Sequence, residues 1–420
     1  MKRLIFCLLC FWSAQDVQAQ SDTLYTQFFK YWEAYDWENA IATGETWKST
    51  ANVGNAPRDS FAYGYFSSKL GRAYLLVGNF DKAALNYGEA FKYVSPDSMH
   101  YAVMYTELAQ LNMMWGRLID GEAQAGKAVE WYRQHGFTHS DKYPNAVRIL
   151  GDLLYMQGLA VLAERQFQTA LQLWLSNGFP PSKILGTIYD DLGLCYDQQN
   201  RLLQAEYYFL KADTLFRQFL KPNDPIRYTV KKQLAELYIN KGAWGTARRL
   251  IQELGEQATA QFGVHSDQYA QYLGVKAQMF EAIGEGNNTR DAIEAQCAIY
   301  QNLYGGRHHQ TINAQISLGL TLVNLHEEEL AKDIALRVLD SIDASGEAYL
   351  NLKISVYGLL ASCSDHDTKW RKKALAAESE IGSPKAETVA MLAVDYLWQN
   401  LPDSAAQVLT ILDTLEQYVP

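Results

Sequence analysis

The sequence predicts an all-α protein, a solenoid in which about ten two-helix hairpins follow one another along the chain. Three observations support this prediction. A large residue followed by a small one recurs at a fixed interval, the residues between have the spacing of two amphipathic helices, and Gly or Asn stands where the chain must turn. Hydrophobic residues at 48% and charged residues at 20% are typical of an ordered chain.

The recurring pair has Gly or Ala as its second member. It occurs at Leu70-Gly71, Leu108-Ala109, Leu150-Gly151, Leu192-Gly193, Leu234-Ala235, Lys276-Ala277, Leu318-Gly319, Tyr357-Gly358 and Leu392-Ala393. The five consecutive intervals between residues 108 and 318 are each 42 residues long. A strict period of this length predicts helical hairpins that stack on their neighbours.

The clearest repeat is residues 70–90, LGRAYLLVGNFDKAALNYGEA. Leu70, Gly71 and Tyr74 lie on one face of a first helix. Gly78 and Asn79 are predicted to end it, because both tolerate a left-handed backbone. A second helix follows, with one face formed by residues spaced three, four and three apart: Phe80, Ala83, Tyr87 and Ala90.

This order of residues resembles the tetratricopeptide repeat (TPR), whose signature runs Leu-Gly, Tyr, Gly, aromatic, Ala, aromatic, Ala at these spacings. Residues 150–170, 192–212 and 234–254 keep much of it, and the 42-residue period is similar to that of kinesin light chains. The resemblance implies a right-handed α-α superhelix of about ten TPR hairpins over residues 20–420. The repeats would start near residues 21, 64, 102, 144, 186, 228, 270, 312, 351 and 386. Residues 281–292 depart from the pattern and predict a turn about three residues longer.

Residues 1–19 have the pattern of a cleaved signal peptide. Lys2 and Arg3 precede an apolar run from Leu4 to Trp12, and Val17-Gln18-Ala19 provides small residues for cleavage after Ala19. We therefore expect export to the periplasm or the cell exterior. No later stretch is apolar for long enough to span a membrane. Short Asp-Ser and Asp-Thr strings also resemble the O-glycosylation sites of exported Bacteroidetes proteins.

Several chemical functions are disfavoured by the sequence. A formal charge of -10 would repel a phosphate backbone, so nucleic acid is not expected as a partner. The chain contains no Walker-type loop, Gly-x-Ser-x-Gly elbow or His-Glu-x-x-His string, and we predict no catalytic residue, cofactor or metal. Three cysteines of the mature chain fall in helical patterns and are predicted to be buried, inert thiols: Cys195, Cys297 and Cys363.

Two nearly identical strings, HSDKY at 139–143 and HSDQY at 265–269, contain the residue types of a hydrolytic triad. They lie 126 residues apart, which is three periods, and each comes just before a first helix. Consecutive residues cannot face one another for proton relay, whereas Ser or Asp at this place can cap the helix. We predict capping. His308 and His309 occupy the equivalent region and lack further ligands at metal-binding spacing.

The candidate binding residues follow from the TPR resemblance, since first helices line the concave surface of such arrays. The polar residues that would lie there in the central repeats are Arg72, Arg148, Asp152, Tyr155, Asp190, Asp197, Gln198, Lys232, Glu236 and Asn240. Mixed charge with Tyr and Asn suits an extended peptide. An ordinary solvated face would have the same composition, so both interpretations stay open.

The functional expectation is a non-catalytic scaffold that binds a peptide or protein segment in this groove. An alternative is the sensory or regulatory part of a larger enzyme, because such arrays resemble those that precede caspase-like CHAT peptidase domains or belong to sensor kinases. The last repeat ends at LDTLEQYVP without a further capping helix, which motivates that alternative. A free-standing enzyme is a third, weaker hypothesis. The sequence does not predict the oligomeric state.

Overall fold

The structure is a computed structural model that describes residues 23–34, 36–51, 60–345, 350–364, 366–380 and 386–416. In these ranges the chain forms twenty α-helices and no β-strand, so the all-α prediction is confirmed. The predicted signal peptide lies outside the described residues. None of the described helices is both long and apolar enough to cross a bilayer. The chain divides into two compact units, Met1–Ile149 and Leu150–Pro420.

The first unit contains six helices and the first half of a seventh. In order they are α1 (residues 23–33), α2 (Trp37–Ala51), α3 (Ser60–Leu76), α4 (Phe80–Ala90), α5 (Met99–Met114), α6 (Leu118–Gln134) and α7 (Lys142–Met156). Helix α3 packs against α4 and α5 packs against α6, and α3 also contacts α5. The unit is therefore built from successive hairpins whose first helices lie side by side.

The second unit contains the end of α7 and the remaining helices. They are α8 (Ala160–Ser176), α9 (Lys183–Gln198), α10 (Leu202–Phe219), α11 (Pro225–Asn240), α12 (Trp244–Gln257), α13 (Asp267–Ala282), α14 (Gly286–Tyr304), α15 (His309–Asn324), α16 (Glu328–Ser345), α17 (Leu350–Ser362), α18 (Thr368–Glu380), α19 (Ala386–Trp398) and α20 (Pro402–Glu416). A π-helical turn, Ala258–Phe262, continues α12. Successive helices from α9 onward form hairpins, and first helices again contact each other, as α9 with α11 and α11 with α13.

Six first helices, from α5 to α15, begin at a capping residue that recurs with the period of the chain. In the string at 265–269 the Ser266 Oγ accepts a hydrogen bond from the Tyr269 amide at 3.2 Å, and in the string at 139–143 the Ser140 Oγ accepts from the Lys142 amide at 3.3 Å. The capping prediction for both strings is confirmed. The positions that accept a backbone N–H in this way are 42 residues apart: Ser98, Ser140, Ser182, Asp224, Ser266 and His308.

Each hairpin turn from α3–α4 onward contains a residue with a left-handed backbone. The first is Gly78, with φ of 75°, and Asn79 after it caps α4 by accepting from the Lys82 amide. Gly tolerates this conformation without strain, whereas His326, with φ of 61°, pays a cost of about 1–2 kcal/mol. From residue 116 onward six of these positions also recur at 42-residue intervals: Gly116, Gly158, Asn200, Gly242, Gly284 and His326.

The predicted long turn at residues 281–292 is wrong. Helix α13 ends at Ala282 and α14 begins at Gly286, so the turn has three residues, as between α7 and α8. Gly284 is its left-handed residue, with φ of 80°, and the Asn288 side chain donates to the Glu285 carboxylate at 2.6 Å. Gly286, Asn287 and Asn288 form the first turn of α14 and do not extend the loop.

The small residues of the repeat let the two helices of a hairpin approach closely. A Cβ added to Gly193 would lie 2.5 Å from Cδ1 and Cε1 of Phe209, which is 1% exposed. Gly71 shows the same relation to α4, where an added Cβ would lie 3.2 Å from the Ala83 carbonyl oxygen. The Gly of the Leu-Gly pair therefore makes room for the second helix, often for its aromatic ring.

Candidate functional site

The candidate site is the exposed side of the first helices in the second unit, α9, α11, α13 and α15 with the end of α7, hereafter the first-helix face. Eight of the ten predicted groove residues belong to this unit, and Arg72 and Arg148 belong to the first. Asp152 and Tyr155 lie on α7 and are partly exposed. Gln198 and Asn240, at the ends of α9 and α11, are exposed.

The two arginines of the first unit are engaged within it. Arg72 on α3 donates to the Gln110 side-chain oxygen at 2.7 Å, and its Nη1 lies 3.9 Å from Glu107 Oε1 on α5. Arg148 is only 9% exposed, and its Nε lies 3.4 Å from Asn145 Oδ1. Arg72 therefore helps to join α3 to α5, and Arg148 is largely enclosed by the fold.

Carboxylates and amides connect neighbouring first helices in the second unit. The Asn240 amide donates to Asp197 Oδ1 at 3.5 Å, and the Gln233 amide donates to Asp190 Oδ2 at 3.4 Å, both between α11 and α9. The equivalent contact between α15 and α13 is a 3.4 Å hydrogen bond from Asn324 to Glu281. Each pair is 43 residues apart. These hydrogen bonds thus help to fix the positions of neighbouring first helices relative to each other. The same polar side chains line the first-helix face.

The electrostatics near α7 and α9 are acidic. Burial, together with the neighbouring Cys195 and Asp197, raises the pKa of Tyr155 to about 12, so the phenol stays protonated. Burial also raises the pKa of Asp197, while the hydrogen bond from Asn240 lowers it. On α11 Lys232 pairs with Glu236 one turn later, at 3.0 Å, and neutralises it.

A cavity of about 330 Å³ opens on this face between α11, α13, α14 and α15. Its wall combines apolar residues such as Val275, Ile293 and Leu320 with a set of amides. Lys232 and Glu236 lie at its α11 side. The amide side chains that line it are Gln271, Gln278, Gln296, Gln310 and Asn313. Amides both donate and accept, so this wall can pair with the N–H and C=O groups of an extended chain.

The cavity brings in residues that the sequence analysis missed. Gln278 occupies the position of Glu236 one period later, so extending the 42-residue register from α11 to α13 would have found it. Gln296 and Tyr300 come from α14, a second helix. Extending the 42-residue period along the first helices would not have found these two residues, because the TPR resemblance assigns the groove to first helices alone.

The residues that suggested hydrolysis or metal binding have structural roles. His308 caps α15, with its Nδ1 accepting from the Gln310 amide at 3.3 Å, and burial and the adjacent His309 lower its pKa to about 4. The imidazole is thus neutral near pH 7 and can accept this bond. In the described ranges no three His, Cys, Asp or Glu side chains are grouped to hold a metal.

The three cysteines among the described residues, Cys195, Cys297 and Cys363, are free thiols. Cys195 is buried as predicted, whereas Cys297 and Cys363 are only partly buried, because each stands at the edge of its packing layer. Burial raises the pKa of Cys195 and of Cys297 to about 12. The thiolate is the nucleophilic form, so these two side chains are poorly suited to nucleophilic chemistry.

Comparison with known proteins agrees with this architecture. Residues 142–218 match the tetratricopeptide repeat family. That TPR segment runs from α7 to α10 and includes the Leu150-Gly151 and Leu192-Gly193 pairs. Comparison with curated proteins finds no match.

Three solved structures share the fold at 13% sequence identity each. NprR in complex with its cognate peptide NprX has a TM-score of 0.55, with 87% of this chain and 100% of that chain covered. A Rap protein complexed with Competence and Sporulation Factor has a TM-score of 0.53, covering 79% and 98%. The apo form of RapI has a TM-score of 0.52, covering 67% and 99%. At this identity the likeness shows the helical-hairpin fold alone.

Proposed function

We propose that this protein is a non-catalytic interaction scaffold that binds a peptide or an extended protein segment on the first-helix face. The observation that carries the proposal is the amide-lined cavity between α11, α13, α14 and α15. Its size falls at the lower end of ligand sites, and its mixture of apolar wall and convergent polar groups is typical of them. Amides from two layers of helices suit a ligand that presents main-chain groups.

The likeness in fold adds support. Two of the similar structures, NprR with NprX and the Rap protein with Competence and Sporulation Factor, are complexes in which a helical-hairpin array of this fold holds a peptide or a factor. A scaffold also accords with the capping role of Ser140, Ser266 and His308. These residues belong to the strings whose residue types suggested chemistry, and their role as caps explains those strings without it. We place binding on the first-helix face for this chain.

The test replaces three amides of the cavity together, Gln278→Ala, Gln296→Ala and Asn313→Ala. An unbiased library of acetylated octapeptides is passed over the immobilised chain, and retained peptides are measured by fluorescence anisotropy. At about 0.5–1.5 kcal/mol for each hydrogen bond, the triple variant should bind the retained peptides about tenfold more weakly or worse.

The matched control replaces three exposed amides elsewhere, Gln218→Ala, Asn302→Ala and Gln407→Ala. It should leave affinity unchanged, and both variants should keep the helical circular-dichroism signal. Equal affinity of the cavity variant and the control for the same peptides would refute the placement of the site.

We also propose that the chain is exported and cleaved after Ala19, so that it works in the periplasm or outside the cell. The motivation is the charged start and the nine-residue apolar run of residues 1–19. Expression of the full chain in a Gram-negative host followed by fractionation should give a periplasmic or secreted protein whose first residue is Gln20. An uncleaved N-terminus on cytoplasmic protein would contradict export.

A further inference from the structure

The wall of this cavity, hereafter the recess, lacks one side chain that neighbouring repeats have. The position of Lys232 on α11 is occupied one period later by Gly274 on α13, and two periods later by Ile316 on α15. A Cβ at Gly274 would lie 2.6 Å from Nε2 of Gln296. Gln296 of the second helix therefore occupies the space that a side chain at position 274 would take, and it forms part of the wall of the recess.

The charge of this recess is negative. Lys232, the cation in its wall, is neutralised by Glu236 at 3.0 and 3.2 Å. Glu281 also lines it, is exposed, and forms no ion pair among the described residues; its hydrogen bond is a long one, 3.4 Å from Asn324 Nδ2. The recess thus holds one carboxylate that no cation of its wall balances.

The polar wall also contains a hydrogen-bond acceptor that is not used within the fold. Gln310 Oε1 is buried and has no hydrogen-bond partner in the described part of the chain. An unsatisfied buried acceptor is unfavourable, and a main-chain N–H of the bound segment could pair with it. Gln310 lies about 20 Å along α15 from Asn324, the residue that contacts Glu281, so a different group of the segment meets each of them. Leu320, which is 46% exposed, also lines the recess and can cover an aliphatic stem.

We propose that this recess receives the side chain of an arginine or lysine carried by the bound segment. The stem packs on Leu320, the cationic head pairs with Glu281, and a remaining N–H of the head donates to the amide oxygen of Gln278, three residues earlier on the same face of α13. Arginine, with five donors in a planar fork, satisfies more of these acceptors than lysine. The inference rests on the proposed function, since it assumes that a peptide occupies the first-helix face, and adds which side chain the face selects.

The experiment uses a positional-scanning library of acetylated octapeptides on the full chain, with Glu281→Gln and Glu281→Lys as variants. Peptides retained by the unaltered chain should be enriched in arginine, then lysine, at one position. Glu281→Gln should weaken their binding about tenfold, and Glu281→Lys should shift the preference at that position to Asp or Glu. The control, Glu329→Gln, changes the charge equally at an exposed site on α16 and should leave affinity and preference unaltered.

The outcomes separate the two proposals. If peptides are retained and the triple amide variant loses them, but no position prefers a basic residue or Glu281→Gln binds them equally, the basic-residue recess is wrong and the scaffold function stands. If the unaltered chain retains no peptide from the library, the proposed function fails, and the recess assignment fails with it. A reversed preference in Glu281→Lys cannot come from loss of folding, so it supports the assignment directly.

Discussion

Replacing Asp395 by alanine is expected to lower the free energy of unfolding of the last hairpins by about 3–5 kcal/mol. Asp395 on α19 is 1% exposed, its Oδ2 accepts from Arg371 Nε on α18 at 2.5 Å, and its Oδ1 lies 3.2 Å from His366 Nδ1. The alanine would leave the guanidinium of Arg371 partly buried without its counter-charge. That uncompensated charge, more than the lost bond, gives the large effect.

The measurement is hydrogen exchange of the amides of α18, α19 and α20, together with the urea midpoint followed by circular dichroism. Exchange in these helices should speed up strongly in Asp395→Ala, while α9 and α10 should change little, because repeats contact only their neighbours. Glu387→Ala, an exposed carboxylate in the first turn of the same helix, is the control and should cost less than about 1 kcal/mol. Equal exchange in the two variants would show that the pair contributes nothing.

Replacing Phe209 by alanine is expected to cost about 3–5 kcal/mol. Its ring on α10 is 1% exposed and fills the space against Gly193 of α9. The substitution leaves a cavity inside a hairpin that its neighbours cannot fill without moving. Urea unfolding, with hydrogen exchange of α9 and α10 to localise the change, should show the loss in this hairpin.

A double-mutant cycle tests whether the close approach at Gly193 is the cause. In the unaltered chain Gly193→Ala should destabilise by about 1–3 kcal/mol, because its Cβ would overlap the Phe209 ring. In the Phe209→Ala background the overlap is gone, and the same change should stabilise α9 by up to about 1 kcal/mol through helix propensity. Gly126→Ala on α6, where an added Cβ meets nothing within 4 Å, should stabilise in either background. Additive effects at 193 and 209 would show that the two residues do not interact.

Much of the fold could be predicted from the period of 42 residues. The period places a capping residue before each first helix from 98 to 308, and a left-handed residue in each turn from 116 to 326. These features are local, since a cap or a turn depends on a few consecutive residues. The period therefore also showed that the two HSD strings are helix starts, which the hydrogen bonds of Ser140 and Ser266 confirm.

The departures from the period were harder to interpret. Residues 281–292 contain enough Gly and Asn to suggest a longer loop, yet Gly284 keeps the turn position and Gly286 begins α14. Gly and Asn are weak helix formers, but packing of α14 against α13 overrides that propensity. Local composition alone could not show which of the two effects prevails.

The hairpins, their caps and their turns follow from the sequence alone, because a strict repeat imposes the same local chemistry on every copy. Which polar residues are open to a ligand was decided by the tertiary structure. Arg148 is enclosed, Lys232 is neutralised by Glu236, and the recess at Gly274 is completed by Gln296 of a second helix. Accessibility and charge pairing depend on side chains from neighbouring helices and repeats. The spacing of residues along one helix does not contain that information.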